Sequence, residues 1–219
     1  MVVGLGLLPG ALEAQATRPS VVVLTFDNGG SYGLDSMDFA GLARGIPATL
    51  TADLARNPGV TTIDRAKAQA VVDQTGAAKG GRLDATAAAR VGKQVGASYV
   101  VAGTFVDYYG KVRIDARLIE TGTGTILQVV STGQRQRSEL PQMVADIASQ
   151  LMSGSRLPAL PAGSPPVARI TTEALVFYGR GVLAQDLGDK AAAADFYQRA
   201  LKLSPDFTAA KEGLRSVQS

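Results

Sequence analysis

The chain contains no cysteine, no histidine and no tryptophan in 219 residues. Without cysteine there is no disulfide framework, no zinc–thiolate site and no thiol nucleophile, and no thioether lipid anchor on a mature N-terminal cysteine. Without histidine the usual general base and the commonest transition-metal ligand are missing, so Ser–His–Asp and Cys–His mechanisms are excluded. Charge is sparse as well: 19% of residues are charged, and 22 Lys and Arg against 19 Asp and Glu leave a net +3. The basic residues are scattered, and no run resembles a nucleic-acid arm, so nucleic acid is not an expected partner.

What is present is apolar and well placed. Hydrophobic residues make up 46% of the chain, enough for a packed core. Residues 2–8 (VVGLGLL), a Pro9-Gly10 break and an A-x-A pattern at Ala14-Gln15-Ala16 read as the apolar and cleavage regions of a secretory signal over residues 1–16. The positively charged start of such a signal is missing, as it would be if the true start lay upstream. The competing reading is an apolar N-terminal strand or tail. The run is too short to span a bilayer.

From residue 20 strands and helices alternate. Residues 21–26 (VVVLTF) form a continuous apolar run, expected of a strand buried on both faces. Residues 39–57 carry Phe39, Leu42, Ile46, Leu50 and Leu54 at helical spacing; Pro47 predicts a kink or a restart. A short strand at 60–63 and a helix at 65–74 follow. Asp84 predicts an N-cap for a helix at 85–95 that ends at Gly96. Residues 98–107, 112–120 and 125–132 read as an antiparallel meander turning at Tyr109-Gly110 and at 121–124, and 141–152 as a helix. Residues 153–169 hold several prolines and read as an exposed linker. Beyond it, 172–187 and 190–203 form a helical hairpin, with a third helix at 207–217.

Motifs for chemistry are weak. Residues 76–81 (GAAKGG) have the glycine spacing of a phosphate loop, but Arg82-Leu83 replaces Lys-Ser/Thr and the segment follows a helix. Gly4 and Gly6 lack the third glycine of a dinucleotide fingerprint. The carboxylates that could pair are Asp35 with Asp38, at a helix start, and Asp107 with Asp115, on neighbouring strands. Asp27-Asn28-Gly29, at the end of the first strand, reads as a turn. No catalytic residue, cofactor or metal site is expected.

Segments 21–28 (VVVLTFDN), 50–60 (LTADLARNPGV), 61–72 (TTIDRAKAQAVV), 83–105 (LDATAAARVGKQVGASYVVAGTF) and 113–133 (RIDARLIETGTGTILQVVSTG) together resemble the bacterial envelope family that includes CsgG and the TolB amino-terminal domain. The resemblance covers residues 20–152. It implies an α/β domain with a mixed sheet flanked by helices, used for protein assembly. The pore-forming members insert long hairpins, whereas residues 106–112 leave room only for a tight turn, so no such pore is expected.

Residues 170–219 resemble a tetratricopeptide repeat followed by a capping helix. Phe177, Arg180, Gly181 and Ala184 fall on its first helix; Ala193, Tyr197 and Ala200 fall on its second, and Pro205 ends the unit. Arg180 stands where leucine is usual and Ala184 where tyrosine is usual. These eight residues are the candidate protein-binding set. One repeat cannot bury its own apolar seam, so the helices are expected to dock on the α/β domain, on a second copy or on a partner. The functional expectation is a non-enzymatic periplasmic or envelope scaffold, outer-membrane-associated or free, with envelope proteins or further copies of itself as partners. A ligand-sensing or regulatory module is the runner-up, and a carboxylate enzyme the least favoured reading.

Overall fold

The computed structural model describes residues 18–77, 82–154, 156–164 and 169–219. The signal region at residues 1–16 lies outside the described residues, as do 78–81 of the glycine loop and residues 155 and 165–168 of the linker.

The apolar run at 21–26 begins as strand β1 (Ser20–Val23). Val21 and Val23 enter one core and Val22 and Leu24 the other, so the run is apolar on both faces because helices cover both faces of the sheet. It does not continue as one strand. After β1 the chain steps inward, the Phe26 N–H donates to the Ala43 C=O at 2.9 Å, and pairing resumes at β2 (Asp27–Asn28).

That step explains the proline. Helix α1 (Ser36–Ala55) runs through Pro47 without restarting, contrary to a restart. Pro47 has no N–H with which to reach the carbonyl four residues back, and that carbonyl, on Ala43, is the one the Phe26 amide takes. The orphaned acceptor thereby docks the β1–β2 step onto the helix.

The remaining elements are β3 (Thr61–Thr62), α2 (Arg65–Thr75), α3 (Ala85–Gln94), β4 (Tyr99–Tyr108), β5 (Lys111–Glu120), β6 (Ile126–Ser131), β7 (Arg135–Gln136) and α4 (Leu140–Ser153). Asp64 and Asp84 cap α2 and α3 through Ala66 and Ala87 N–H. The sheet order is β3-β1-β4-β5-β6, with β2 on β4 and β7 on β5. β1 runs parallel to β3 and β4, while β4, β5 and β6 form the expected antiparallel meander. The sheet is therefore mixed. Helices α2 and α3 cover one face; α1 and α4 cover the other. Among the described residues no helix is long and apolar enough to cross a membrane.

Most described residues of the linker are exposed, as expected, but the linker is anchored at one point. Leu157 is buried, and the buried Asn57 donates from Nδ2 to the Pro158 C=O at 2.7 Å while its Oδ1 accepts from the Gly59 N–H at 3.0 Å. The chain is thus pinned back onto the end of α1 before it reaches the C-terminal helices.

Those helices are α5 (Thr172–Asp186), α6 (Lys190–Leu203) and α7 (Thr208–Gln218). The surface they need is supplied by the same chain, because α5 lies across α1. Gly41 and Gly45, one turn apart, meet Gly179: a Cβ at position 45 would sit 2.9 Å from Gly179 Cα, and one at 179 would strike the Gly41 carbonyl. The crossing is flanked by ion pairs. Arg180 donates to Asp38 at 2.6 Å and to Asp35 at 3.0 Å at the start of α1, while Asp186 accepts from Arg44 at 2.9 Å and from Arg65 at 2.6 Å. Leu175, Leu183 and Tyr197 are buried; Phe177, Phe196 and Leu201 are half-buried. Leu187 and Leu203 remain exposed. A single hydrophobic cluster runs from β1, β4 and β5 through α1 and α4 into α5, α6 and α7.

Gly179→Ala is expected to force α1 and α5 apart and lower stability by about 1–3 kcal/mol, read as a loss of several degrees in the melting midpoint. An unchanged midpoint would contradict the close crossing.

A second expectation concerns Asp53 on α1. It is buried, its Oδ2 has no partner among the described residues, and burial raises its carboxyl from 3.8 to about 6, only partly opposed by the Arg56 charge. The folded protein therefore holds this proton more tightly than the unfolded chain. Above pH 6 the ionised group weakens the fold by on the order of 3 kcal/mol; the penalty fades as pH falls through 6 and vanishes below about pH 4. Thermal melts of Asp53→Asn should show a gain over wild type at pH 7.5 that disappears by pH 4. A pH-independent difference would contradict this.

Candidate protein-binding site

The repeat is built by small residues that admit an aromatic ring. Tyr197 of α6 is buried against Gly181 of α5, where a Cβ would lie 2.6 Å from the ring. Gly213 of α7 touches the opposite part of the same ring. The Tyr197 hydroxyl donates to Gln185 Oε1 at 2.7 Å, and burial raises its pKa. Ala184, Ala193 and Ala200 are buried at the helix–helix seams. Pro205 is exposed and follows Ser204, which is extended at φ −142°, as the residue before a proline prefers. Of the eight candidates, Gly181, Ala184, Ala193, Tyr197 and Ala200 therefore face inward.

Two candidates face outward. Phe177 stacks on Phe196 at 6.5 Å between centroids, with Arg199 over both rings. Arg180 lies 5.9 Å over Phe196 and reaches Asp35 and Asp38. Arginine replaces the usual leucine here because this position bridges to the α/β domain. Asp35 and Asp38 belong to that bridge, Asp35 also capping α1 through the Asp38 N–H.

Docking α5 on α1 leaves a groove of about 990 Å³ between α1 and α2 on one side and α5 and α7 on the other. Its floor includes Ala48, Ala52 and Val182. Asp64, Asp73, Asp186 and Glu212 line it against only Arg44 and Arg65, so it carries an excess of two negative charges on a chain of net +3. Arg44 and Arg65 are both committed to Asp186.

A second surface sits at the turn between β4 and β5. Tyr32, Tyr108 and Tyr109 are 57%, 57% and 70% exposed, yet pack on one another with centroids 5.1–6.4 Å apart. The turn has two residues, Tyr109 and Gly110, between the paired Tyr108 and Lys111. Both adopt positive φ, 49° and 91°. This turn favours Asn-Gly, and a bulky residue at positive φ is strained, so the turn itself does not account for Tyr109.

The strain is held from below. Asp107 is fully buried. Its carboxylate accepts from the Gly110 N–H at 2.8 Å and from the Arg137 guanidinium. Its backbone C=O accepts from the Tyr32 N–H at 2.7 Å. Arg137 also donates its N–H to the Gly110 C=O at 2.7 Å and accepts from the Thr172 hydroxyl at the start of α5. Asp107 thus shapes this tip, while Asp115 pairs with Arg113 at the surface; the two do not form a carboxylate pair. Sequence reading took Tyr109-Gly110 as a turn only. The available signal was a bulky aromatic where asparagine or glycine is expected.

The tetratricopeptide repeat family matches residues 174–207. No curated protein matches the chain by sequence. Among solved structures, the LpoB C-terminal domain from Escherichia coli is 19% identical over 52% of this chain and 80% of its own, with a TM-score of 0.39. TolB from Acinetobacter baumannii is 17% identical over 63% of this chain and 29% of its own, at 0.40. Lipoprotein GNA1162 from Neisseria meningitidis is 19% identical over 63% and 99%, at 0.41. The match falls on α5 and α6, which with α7 pack on an α/β domain whose mixed sheet is flanked by helices.

Proposed function

We propose that the chain is a non-enzymatic scaffold of the bacterial envelope that holds two protein partners, one at the tyrosine tip and one in the acidic groove. The observation that carries this reading is the tip. Three exposed tyrosines on a strained turn, fixed by a buried Asp107, supply rigid aromatic area of the kind that dominates protein interfaces. Rigidity lowers the entropy lost on binding. The groove supports a second contact, with a basic segment complementary to its carboxylates. Placement in the envelope rests on the apolar run and A-x-A pattern of residues 2–16.

The test uses the purified chain immobilised and exposed to envelope extract, with captured proteins quantified by mass spectrometry. Tyr108→Thr with Tyr109→Asn removes two rings while keeping a strand former and a residue that tolerates positive φ. This double variant should lose one captured partner more than tenfold, as expected for a hot spot, with its melting midpoint at or above wild type. Glu212→Lys should weaken a different partner. Wild-type and tyrosine-variant captures that match in identity and abundance would contradict the reading.

A further inference from the structure

A cavity of about 710 Å³ lies on the other side of the sheet from the repeat, between the end of α2, the start of α3 and β5. Arg82, Arg90 and Arg117 line it, and Asp84 is its one lining carboxylate. Asp84 is already engaged, its Oδ1 accepting from the Ala87 N–H at 2.7 Å as the cap of α3. Among the described residues none of the three arginines makes an ion pair. Among the described residues Arg117 reaches only the Leu83 C=O, at 3.5 Å, and Arg90, on the exposed side of α3, has no hydrogen-bond or ion-pair partner.

The nearest further carboxyl is Asp27 on β2, beneath Leu83. It feels the Arg82 and Arg117 charges and accepts from the Leu83 N–H, yet burial outweighs these and raises its pKa. Asp27 makes no ion pair with either arginine among the described residues.

Three like charges around one concavity repel one another and concentrate positive potential there. Guanidinium groups also match the oxygens of phosphate in pairs. By contrast Arg44, Arg65, Arg113, Arg135, Arg137 and Arg180 are each neutralised in place by a carboxylate. Arg82, Arg90 and Arg117 have no such ion pair among the described residues and line one cavity together.

We propose that this cavity binds the phosphate group of a phosphorylated ligand, with Arg90 and Arg117 as principal contacts and Arg82 beside them. The site owes nothing to the glycine spacing of residues 76–81, and it stands independently of the scaffold reading. Its volume exceeds a bare phosphate, so the ligand carries a further polar body: a soluble phosphate ester or a phospholipid headgroup.

The test applies calorimetry to the full chain with inorganic phosphate and with glycerol 3-phosphate, chloride being adjusted to constant ionic strength. Co-sedimentation with phosphatidylglycerol or phosphatidylcholine vesicles forms the other arm. Saturable binding of either soluble phosphate supports a soluble ligand. Retention on phosphatidylglycerol alone, without soluble binding, supports a headgroup. In either case Arg90→Gln should weaken binding at least tenfold. Because Arg90 is exposed and makes no hydrogen bond or ion pair among the described residues, this variant should keep the wild-type circular dichroism, and without phosphate its melting midpoint should be equal or higher as repulsion is relieved. Arg156→Gln, with the same change of charge away from the cavity, should bind as wild type. Absence of binding in every arm, or equal losses in Arg90→Gln and Arg156→Gln, would overturn the proposal.

Discussion

The docking of the three C-terminal helices depends on one close approach of two helix backbones. At the crossing of α1 and α5 the side chains are hydrogens, because Gly41, Gly45 and Gly179 meet there. Glycine inside a helix costs roughly 1 kcal/mol relative to alanine, and α1 carries two. The offset is contact between the helices along their length, closed by Arg180 at one end and by Asp186 at the other. A lone repeat has an apolar seam and nothing to cover it; here the missing neighbour is α1, a helix of the α/β domain.

This arrangement divides the surface. The α5 side that would stack on a preceding repeat is occupied by α1, while the side facing α7 and α2 opens into the acidic groove. The tyrosine tip is linked to the same helix by hydrogen bonds through Arg137 and Thr172. Asp107 is central to that link. A buried carboxylate is tolerated only when paired and hydrogen-bonded, and it is met by Arg137 and the Gly110 amide.

Much of the fold was legible in the sequence because it rests on periodicity and caps. The Val21–Val23 run, the Asp84 cap, the three-stranded meander and the hairpin from Lys190 onward all express local preferences that tertiary contacts reinforce. The frame of the repeat was legible too, since Gly181, Ala193, Tyr197 and Ala200 follow from ring-against-glycine packing. The rest required partners distant in sequence. Pro47 read as a break because the Phe26 amide that takes the freed Ala43 carbonyl could not be foreseen. Gly41 and Gly45 drew no notice, although two glycines one turn apart inside an apolar helix are a sign of close backbone packing. The anchor of the linker was not legible because its composition does not reveal that Asn57 holds Pro158. The arginine cavity gathers residues from three elements, and no local pattern marks it.

The central claim is that the α/β domain and the repeat fold as one body around a shared core. Equilibrium denaturant unfolding followed by amide exchange tests it most directly, with exchange read separately for β4 and β5 and for α6 and α7. The account predicts coincident loss of protection in both regions, at one midpoint and with one slope. Loss of protection in α6 and α7 at a clearly lower denaturant concentration, with β4 and β5 still protected, would contradict it.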